Sequence, residues 1–193
     1  MTATLPRLRM DGLVLAGGRS RRMGRNKSDL PWTPGPTLLS HARETLSQAV
    51  CGRVFVARPY GAPRVEPVDL PDPCDARGPL AGIWSGLRHS RGPFLAVLAV
   101  DLPMVPPSLY TQLSRYLSLG VAGVFPVAGE QRQPLAGFWS VGLASAAAAV
   151  LCRHRPPSLF GFLESHRVVW VPVPHASWLT NLNTPQDWLT WHR

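Results

Sequence analysis

Apolar residues along this chain fall into short uninterrupted runs separated by amphipathic stretches, the pattern of strands alternating with helices. Gly12 to Ala16 is such a run; it breaks at Gly17-Gly18 and predicts a first strand. Between Thr37 and Val50, the residues Leu38, Leu39, Ala42, Leu46 and Ala49-Val50 share one helical face, and Gly52 stops the helix. Val54 to Ala57 predicts a second buried strand. The Pro-, Asp- and Gly-rich segment from Pro59 to Arg77 predicts a loop with one short strand near Val65 to Val68. A helix is expected from Pro79 to His89. Phe94 to Val100, FLAVLAV, is apolar throughout, as in a strand buried on both faces at the centre of a parallel sheet.

The remaining pattern predicts helices over Pro106 to Leu119, with proline in its first turn, over alanine-rich Leu143 to Leu151, and over Leu159 to Glu164. Strands are expected at Val121 to Val127 and Pro134 to Ser140, on either side of a polar turn at Gly129 to Gln133, and at Val168 to Val173. Thr184-Pro185-Gln186-Asp187 carries the hydroxyl, N1 proline and acidic N3 of a helix start. Met1 to Asp11 has no periodicity to bury and reads as a loose leader. The alternation predicts an α/β fold with a mostly parallel sheet. No repeat, heptad or low-complexity linker divides the chain, so one domain over residues 1–193 is expected.

Composition adds a sign to this picture. Hydrophobic residues make up 45% and charged ones 16%, which excludes a disordered chain, and the formal net charge is +9. Such a balance favours phosphate ligands, acidic surfaces or nucleic acid. Most of the cations are arginines scattered along the chain, but one dense cluster runs from Arg19 to Lys27. Cys51, Cys74 and Cys152 form no C-x-x-C pair, which argues against a zinc or redox motif and fits a reducing compartment. The apolar stretch after Arg7 and Arg9 is too short for a signal peptide, and FLAVLAV is far below membrane-spanning length. A cytoplasmic protein without membrane contact is expected.

The cation cluster lies inside LVLAGGRSRRMGRNKSDL, Leu13 to Leu30, where a strand feeds a glycine break and then a positively charged loop. Exposed glycine N–H groups approach phosphate closely, and Arg and Lys neutralise it. A Walker A loop needs Gly directly before Lys-Ser/Thr, whereas Asn26 precedes Lys27 here; the dinucleotide fingerprint G-x-G-x-x-G is also absent. The pattern present is L-A-G-G-x-S-x-R-M-G-x-x-K, Leu15 to Lys27. It resembles the signature of nucleotidyltransferases that transfer NMP from an NTP and release pyrophosphate. Within that class the chain is most similar to the molybdenum cofactor guanylyltransferases, from LAGGRSRRMGRNK through GPLAG and VDLPMVPP to NLNTPQD. The LAGG form resembles the guanylyl branch rather than the cytidylyl one.

This resemblance implies a Rossmann-like nucleotidyltransferase fold, a three-layer sandwich, and transfer of GMP from GTP to the phosphate of molybdopterin. It implies catalytic roles for Arg22, Lys27 and Asp101, with Arg22 and Lys27 holding the β- and γ-phosphates. It implies nucleotide contacts at Leu15, Ala16, Gly17, Gly18, Lys27, Asp72, Gly78, Pro79, Leu80 and Asp101. Asp101 follows the strongest strand at its carboxyl end and is the expected Mg²⁺ ligand; the alternative is an N-cap for the next helix. Asp69 and Asp75 flank Asp72, and a merely solvated acidic loop is the alternative for all three. Asn181 and Asn183 would bind the acceptor, or else be turn residues before a helix. Arg132 and Gln133 are weaker candidates for the same acceptor. GTP and molybdopterin are thus the expected partners, with transient contacts to proteins that deliver or receive the cofactor.

Two positions depart from the family pattern. Ala57 stands where many members carry Asn, so that one nucleotide contact is missing or is supplied by Arg58 or by water, and Asn26 stands where an acidic residue often precedes the loop lysine. Rival readings are cytidylyl transfer to the same cofactor, NMP transfer to a sugar phosphate, and a basic nucleic-acid-binding module. No aromatic stacking residues interleave the basic cluster, which counts against the last.

Overall fold

The computed structural model describes residues 10–16, 28, 30–32, 36–61, 66–72, 78–183 and 187. Its strands form one sheet of order β3-β2-β1-β4-β7-β5-β6, with β8 paired to β5. The strands are β1 (Asp11–Leu15), β2 (Val54–Arg58), β3 (Asp69–Pro71), β4 (Phe94–Ala99), β5 (Gly123–Ala128), β6 (Gln131–Arg132), β7 (Ala136–Ser140) and β8 (Val168–Pro172). Pairings β1–β2, β1–β4, β2–β3 and β5–β8 are parallel. β7 runs antiparallel between β4 and β5, and β6 pairs antiparallel with the far end of β5. The expected mostly parallel α/β sheet is therefore present.

Every residue of β1 and β4 is buried, so both faces of the sheet must be covered. Helices α1 (Leu38–Ala49) and α3 (Pro107–Ser114) pack together on one face, and α2 (Pro79–His89) and α4 (Ala144–Leu151) pack together on the other. The short α5 (Leu159–Glu164) precedes β8. α1 starts at a capping box in which the Thr37 hydroxyl accepts from Ser40 N–H while the Ser40 hydroxyl accepts from Thr37 N–H. α2 approaches the sheet so closely that a Cβ on Gly86 would come within 2.7 Å of Leu13 and Leu95 side chains. The one fully buried tyrosine, Tyr110 on α3, donates its hydroxyl to the Val97 carbonyl of β4.

Among the boundaries that differ from expectation, four have a local reason. Asp11, expected in a loose leader, is the first residue of β1, and its carboxylate is 3% exposed. It accepts from the backbone N–H of Arg53 (2.8 Å) and of Arg91 (3.0 Å), tying together the loops that enter β2 and β4. Residues 1–9 lie outside the described residues. The short strand expected near Val65 to Val68 comes later, at Asp69–Pro71, because the buried Asp69 carboxylate pairs with Arg58 Nε at 3.1 Å and fixes that register beside β2. α3 ends at Ser114 rather than Leu119; the loop after it reverses at Gly120, whose φ of 82° suits glycine, and Leu119 is wholly exposed. β7 starts at Ala136, since Pro134 has no N–H to pair and spends its carbonyl on Trp139 Nε1–H.

The Asp11 latch sits at the amino ends of the strands, away from the end where Asp101 emerges. Asp11→Ala should therefore lower stability by about 1–3 kcal/mol in urea unfolding, by orphaning two backbone donors. Substrate affinities of the folded variant should stay at wild-type values.

Candidate active site

The sheet changes direction of winding between β1 and β4: β2 and β3 follow β1 outward on one side, while β4 begins the other half. Open α/β sheets leave a crevice at the carboxyl ends of such strands. Ala16 stands in that crevice directly after β1. Its N–H donates to the Ala57 carbonyl (3.1 Å), and the Leu15 carbonyl accepts from Val100 N–H (3.1 Å). Asp101, half-buried, is the next residue along from Val100. The first strand's Leu15 and Ala16 and the aspartate after β4 are thus held side by side by the parallel ladder alone.

The segment between Ala16 and Ser28 holds Gly17, Gly18, Arg22 and Lys27, with Arg19, Arg21 and Arg25; these lie outside the described residues. Its two ends are described and meet. Ser28, fully buried, donates its hydroxyl to the Ala16 carbonyl at 3.0 Å. The chain then passes Leu30, whose carbonyl accepts from Leu38 N–H at the start of α1 (2.9 Å).

Asp101 does not cap the following helix. α3 is preceded by Pro106 and has no side-chain cap, so the alternative role is excluded. The turn after Asp101 is held instead by α1: His41 Nε2 lies 2.8 Å from the Pro103 carbonyl, and the His41 ring packs 5.8 Å from Trp32. A carbonyl only accepts, so Nε2 carries the proton in this contact. From the other side, the C-terminal segment reaches Asp101 through Leu182 N–H, which donates to the Asp101 carbonyl at 2.8 Å. Asn181 and Asn183 therefore stand on either side of the residue bonded to the aspartate. Asn183 N–H donates to the Asp187 carboxylate (2.9 Å), while Thr184, Pro185, Gln186, Trp188 and Trp191 lie outside the described residues.

The neighbouring aspartates separate by environment. Asp69 is spent on Arg58 and on Glu66 N–H, which makes it a fold residue. The same ion pair engages Arg58 through its Nε. Asp72 follows β3, anchored by its N–H to the Arg58 carbonyl (2.8 Å). Its Oδ1 is buried and has no hydrogen-bond partner among the described residues, and burial pushes its carboxyl up to about 6. Asp75 lies outside the described residues.

α2 closes this side of the crevice. Gly78 precedes it with a φ of 67° and no described atom within 4 Å of where a Cβ would be, and Pro79 takes the first helical position. Four residues on, a Cβ at Gly82 would sit 3.0 Å from the Ala57 methyl, 3.1 Å from Leu15 Cδ2 and 3.1 Å from Asp72 Oδ1. Leu15, Ala57, Asp72 and α2 thus converge on one wall. The GPLAG glycines divide accordingly: Gly78 is uncrowded among the described residues, and Gly82 allows close helix–sheet packing.

Arg132 and Gln133, weak candidates from sequence, prove to be framework. Arg132 lies over the Trp170 ring at 5.3 Å. Gln133 is buried and donates from Nε2 to Asn181 Oδ1 at 2.9 Å, and Gln131 Nε2 donates to the Leu179 carbonyl. Sequence reasoning missed Ser28, His41 and this glutamine pair as supports. Each acts through one contact to a residue distant in the chain, for which no spacing signal exists.

Among the described residues no three His, Cys, Asp or Glu side chains cluster as an all-protein metal cage, and no helix is long and apolar enough to cross a membrane. A lone carboxylate at a strand end suits a cation that takes most of its ligands from phosphate and water.

Comparison with known proteins gives the arrangement a family. Residues 12–168 match the family model described as MobA-like NTP transferase domain. A curated relative, the probable molybdenum cofactor guanylyltransferase of Synechococcus elongatus, is 31% identical over 186 residues, covering 91% of this chain and 94% of its own. The crystal structure of molybdopterin-guanine dinucleotide biosynthesis protein A from Archaeoglobus fulgidus superposes with a TM-score of 0.75 at 24% identity, covering 94% of this chain and 96% of that one. A Mycobacterium tuberculosis protein solved in complex with manganese has a TM-score of 0.68 at 18% identity, covering 96% and 98%. With sequence matched from β1 to the first residue of β8, and the same sheet beneath it, this chain belongs to the MobA-like NTP transferase family.

Proposed function

We propose that this protein is a Mg²⁺-dependent guanylyltransferase that couples GTP to the terminal phosphate of molybdopterin, forming molybdopterin guanine dinucleotide and releasing pyrophosphate. The whole chain, residues 1–193, acts as one nucleotidyltransferase domain, and it works in the cytoplasm. The observation that carries the reading is the junction at Asp101: β1, β4 and the Asn181–Asn183 segment meet there through the Val100–Leu15 and Leu182–Asp101 hydrogen bonds. The choice of guanine and molybdopterin rests on the activity named for the curated relatives. Two free, exposed thiols, Cys51 and Cys152, agree with a reducing compartment.

In this reading a phosphate oxygen of the acceptor attacks the α-phosphorus of GTP in line. The bond from that phosphorus to the β-phosphate bridging oxygen breaks, and its electron pair leaves with pyrophosphate. The acceptor phosphate is already anionic at neutral pH, so no side-chain nucleophile is needed. Arg22 and Lys27 neutralise the β- and γ-phosphates as charge builds on the leaving group, and Leu15, Ala16, Gly17 and Gly18 lie beside the triphosphate. Asp72, Gly78, Pro79 and Leu80 form the nucleoside wall, while Asn181 and Asn183 hold the acceptor. Asp101 would hold Mg²⁺, which when bound screens the triphosphate oxygens. Catalysis is then positioning plus charge neutralisation.

Pyrophosphate release measured across GTP, CTP and UTP, with molybdopterin or a sugar phosphate as acceptor, should give turnover only with GTP and molybdopterin. Turnover with CTP and none with GTP would sink the guanylyl assignment. Asp101→Ala should fold normally and lose about a hundredfold or more in kcat; unchanged turnover refutes the metal role. Asp72 gives a pH signature in the free protein. Its folded carboxyl holds the proton more tightly than the unfolded one, so its contribution to stability is present at low pH and is lost as pH rises through about 6. Asp72→Asn removes that loss. The variant should gain melting temperature over wild type progressively between about pH 4 and 6 and keep a constant advantage above. A gain confined to acid pH would have the wrong sign.

A further inference from the structure

The proton positions on two side-chain amides can be assigned from one backbone donor. Leu135, at the entry to β7, has an N–H that can only donate, and it lies 3.4 Å from Gln133 Oε1. Its own carbonyl accepts from Ala99 N–H at the end of β4 (2.8 Å), which fixes Leu135 against the strand that leads to Asp101. Gln133 Oε1 is therefore the acceptor end of that amide, and Nε2 is the end that faces Asn181. Because Nε2 can only donate, the Asn181 atom 2.9 Å away is the carbonyl Oδ1. Gln133 is only 8% exposed, and its own N–H and carbonyl are bound to Pro126 and Ala136, so it has little room to turn over.

We infer that Gln133 is a positioning residue that holds the Asn181 amide with its NH₂ outward, making Asn181 a hydrogen-bond donor to an oxygen of the acceptor substrate. No described residue accepts from Asn181 Nδ2. The next residue, Leu182, is bonded to the Asp101 carbonyl, so this donor is carried on the segment that borders the reacting end of the crevice. A donor there complements a phosphoryl oxygen and adds no charge that would repel it. The opposite orientation would present a carbonyl to an anionic group. The inference rests on the reading of Asn181 as an acceptor-binding residue and adds the polarity that this residue must have.

Gln133→Glu tests it with near-constant shape. A carboxylate at 133 can only accept, so it takes the Asn181 NH₂ and turns the Asn181 carbonyl outward. Asn181→Asp leaves the Gln133 contact intact and likewise presents an acceptor. Both variants should raise KM for molybdopterin about tenfold or more, with KM for GTP within about twofold of wild type. Equal rises in both KM values, or a fall in melting temperature with unchanged KM for molybdopterin, would overturn the inference. A second readout needs no turnover: in the labelled free protein, side-chain amide protons of Gln133 should exchange slowly and those of Asn181 rapidly. The reverse order overturns the assignment of donor and acceptor. Wild-type protein inactive with GTP and molybdopterin would refute the guanylyl reading and the acceptor-substrate half of the inference. The exchange measurement would still decide which amide donates.

Discussion

Burial of β4 on both faces is the constraint from which the architecture follows. Six buried apolar residues require parallel or antiparallel neighbours on each edge and helices above and below. β1 and β7 fill the edges; the α1/α3 and α2/α4 pairs cover the faces. Such a strand has nowhere to place polar chemistry along its length. The first position where a charged side chain can meet water is past its carboxyl end, and Asp101 stands there. The same logic puts Ala16, the residue after β1, at the neighbouring strand end.

What surrounds Asp101 is held mainly by backbone groups. Leu182 N–H bonds to its carbonyl, Val100 N–H to Leu15, Ala16 N–H to Ala57, and Ser28 and His41 each bond to a main-chain carbonyl. Backbone hydrogen bonds cost no side-chain chemistry at the site. They also make the supports insensitive to which side chains line the crevice. A shared frame with differing contacts is how one family can serve different nucleotides and acceptors.

The sequence pattern located nearly every element, because buried strands and one-sided helices leave periodicities that composition cannot hide. α2 and α5 match their expected limits residue for residue. β3 shows where that logic fails: the more apolar Val65 to Val68 stretch lost to Asp69–Pro71, since a buried Arg58–Asp69 pair outweighs hydrophobicity in a three-residue edge strand. Asp11 was misread for a related reason. A carboxylate opening a strand looks like a solvated leader unless the two loops that donate to it are known to lie beside it. Site residues at strand ends were legible because strand ends are legible. Their supports Ser28, His41 and Gln133 were not, since each depends on one long-range contact that leaves no local pattern.

The two aspartates of the β3 region show how the fold divides structure from chemistry within four positions. Asp69 has a cation and a backbone donor, and its charge is fully compensated in the interior. Asp72 has lost much of its water to the wall formed by Leu15, Ala57 and Gly82, yet one of its oxygens has gained no partner among the described residues. An uncompensated buried oxygen lowers stability wherever it is found, and it persists in a native fold when something other than stability retains it. The Ala57 methyl in that wall cannot donate to the carboxylate. A ligand that brings an N–H or O–H to this wall would give that oxygen a partner.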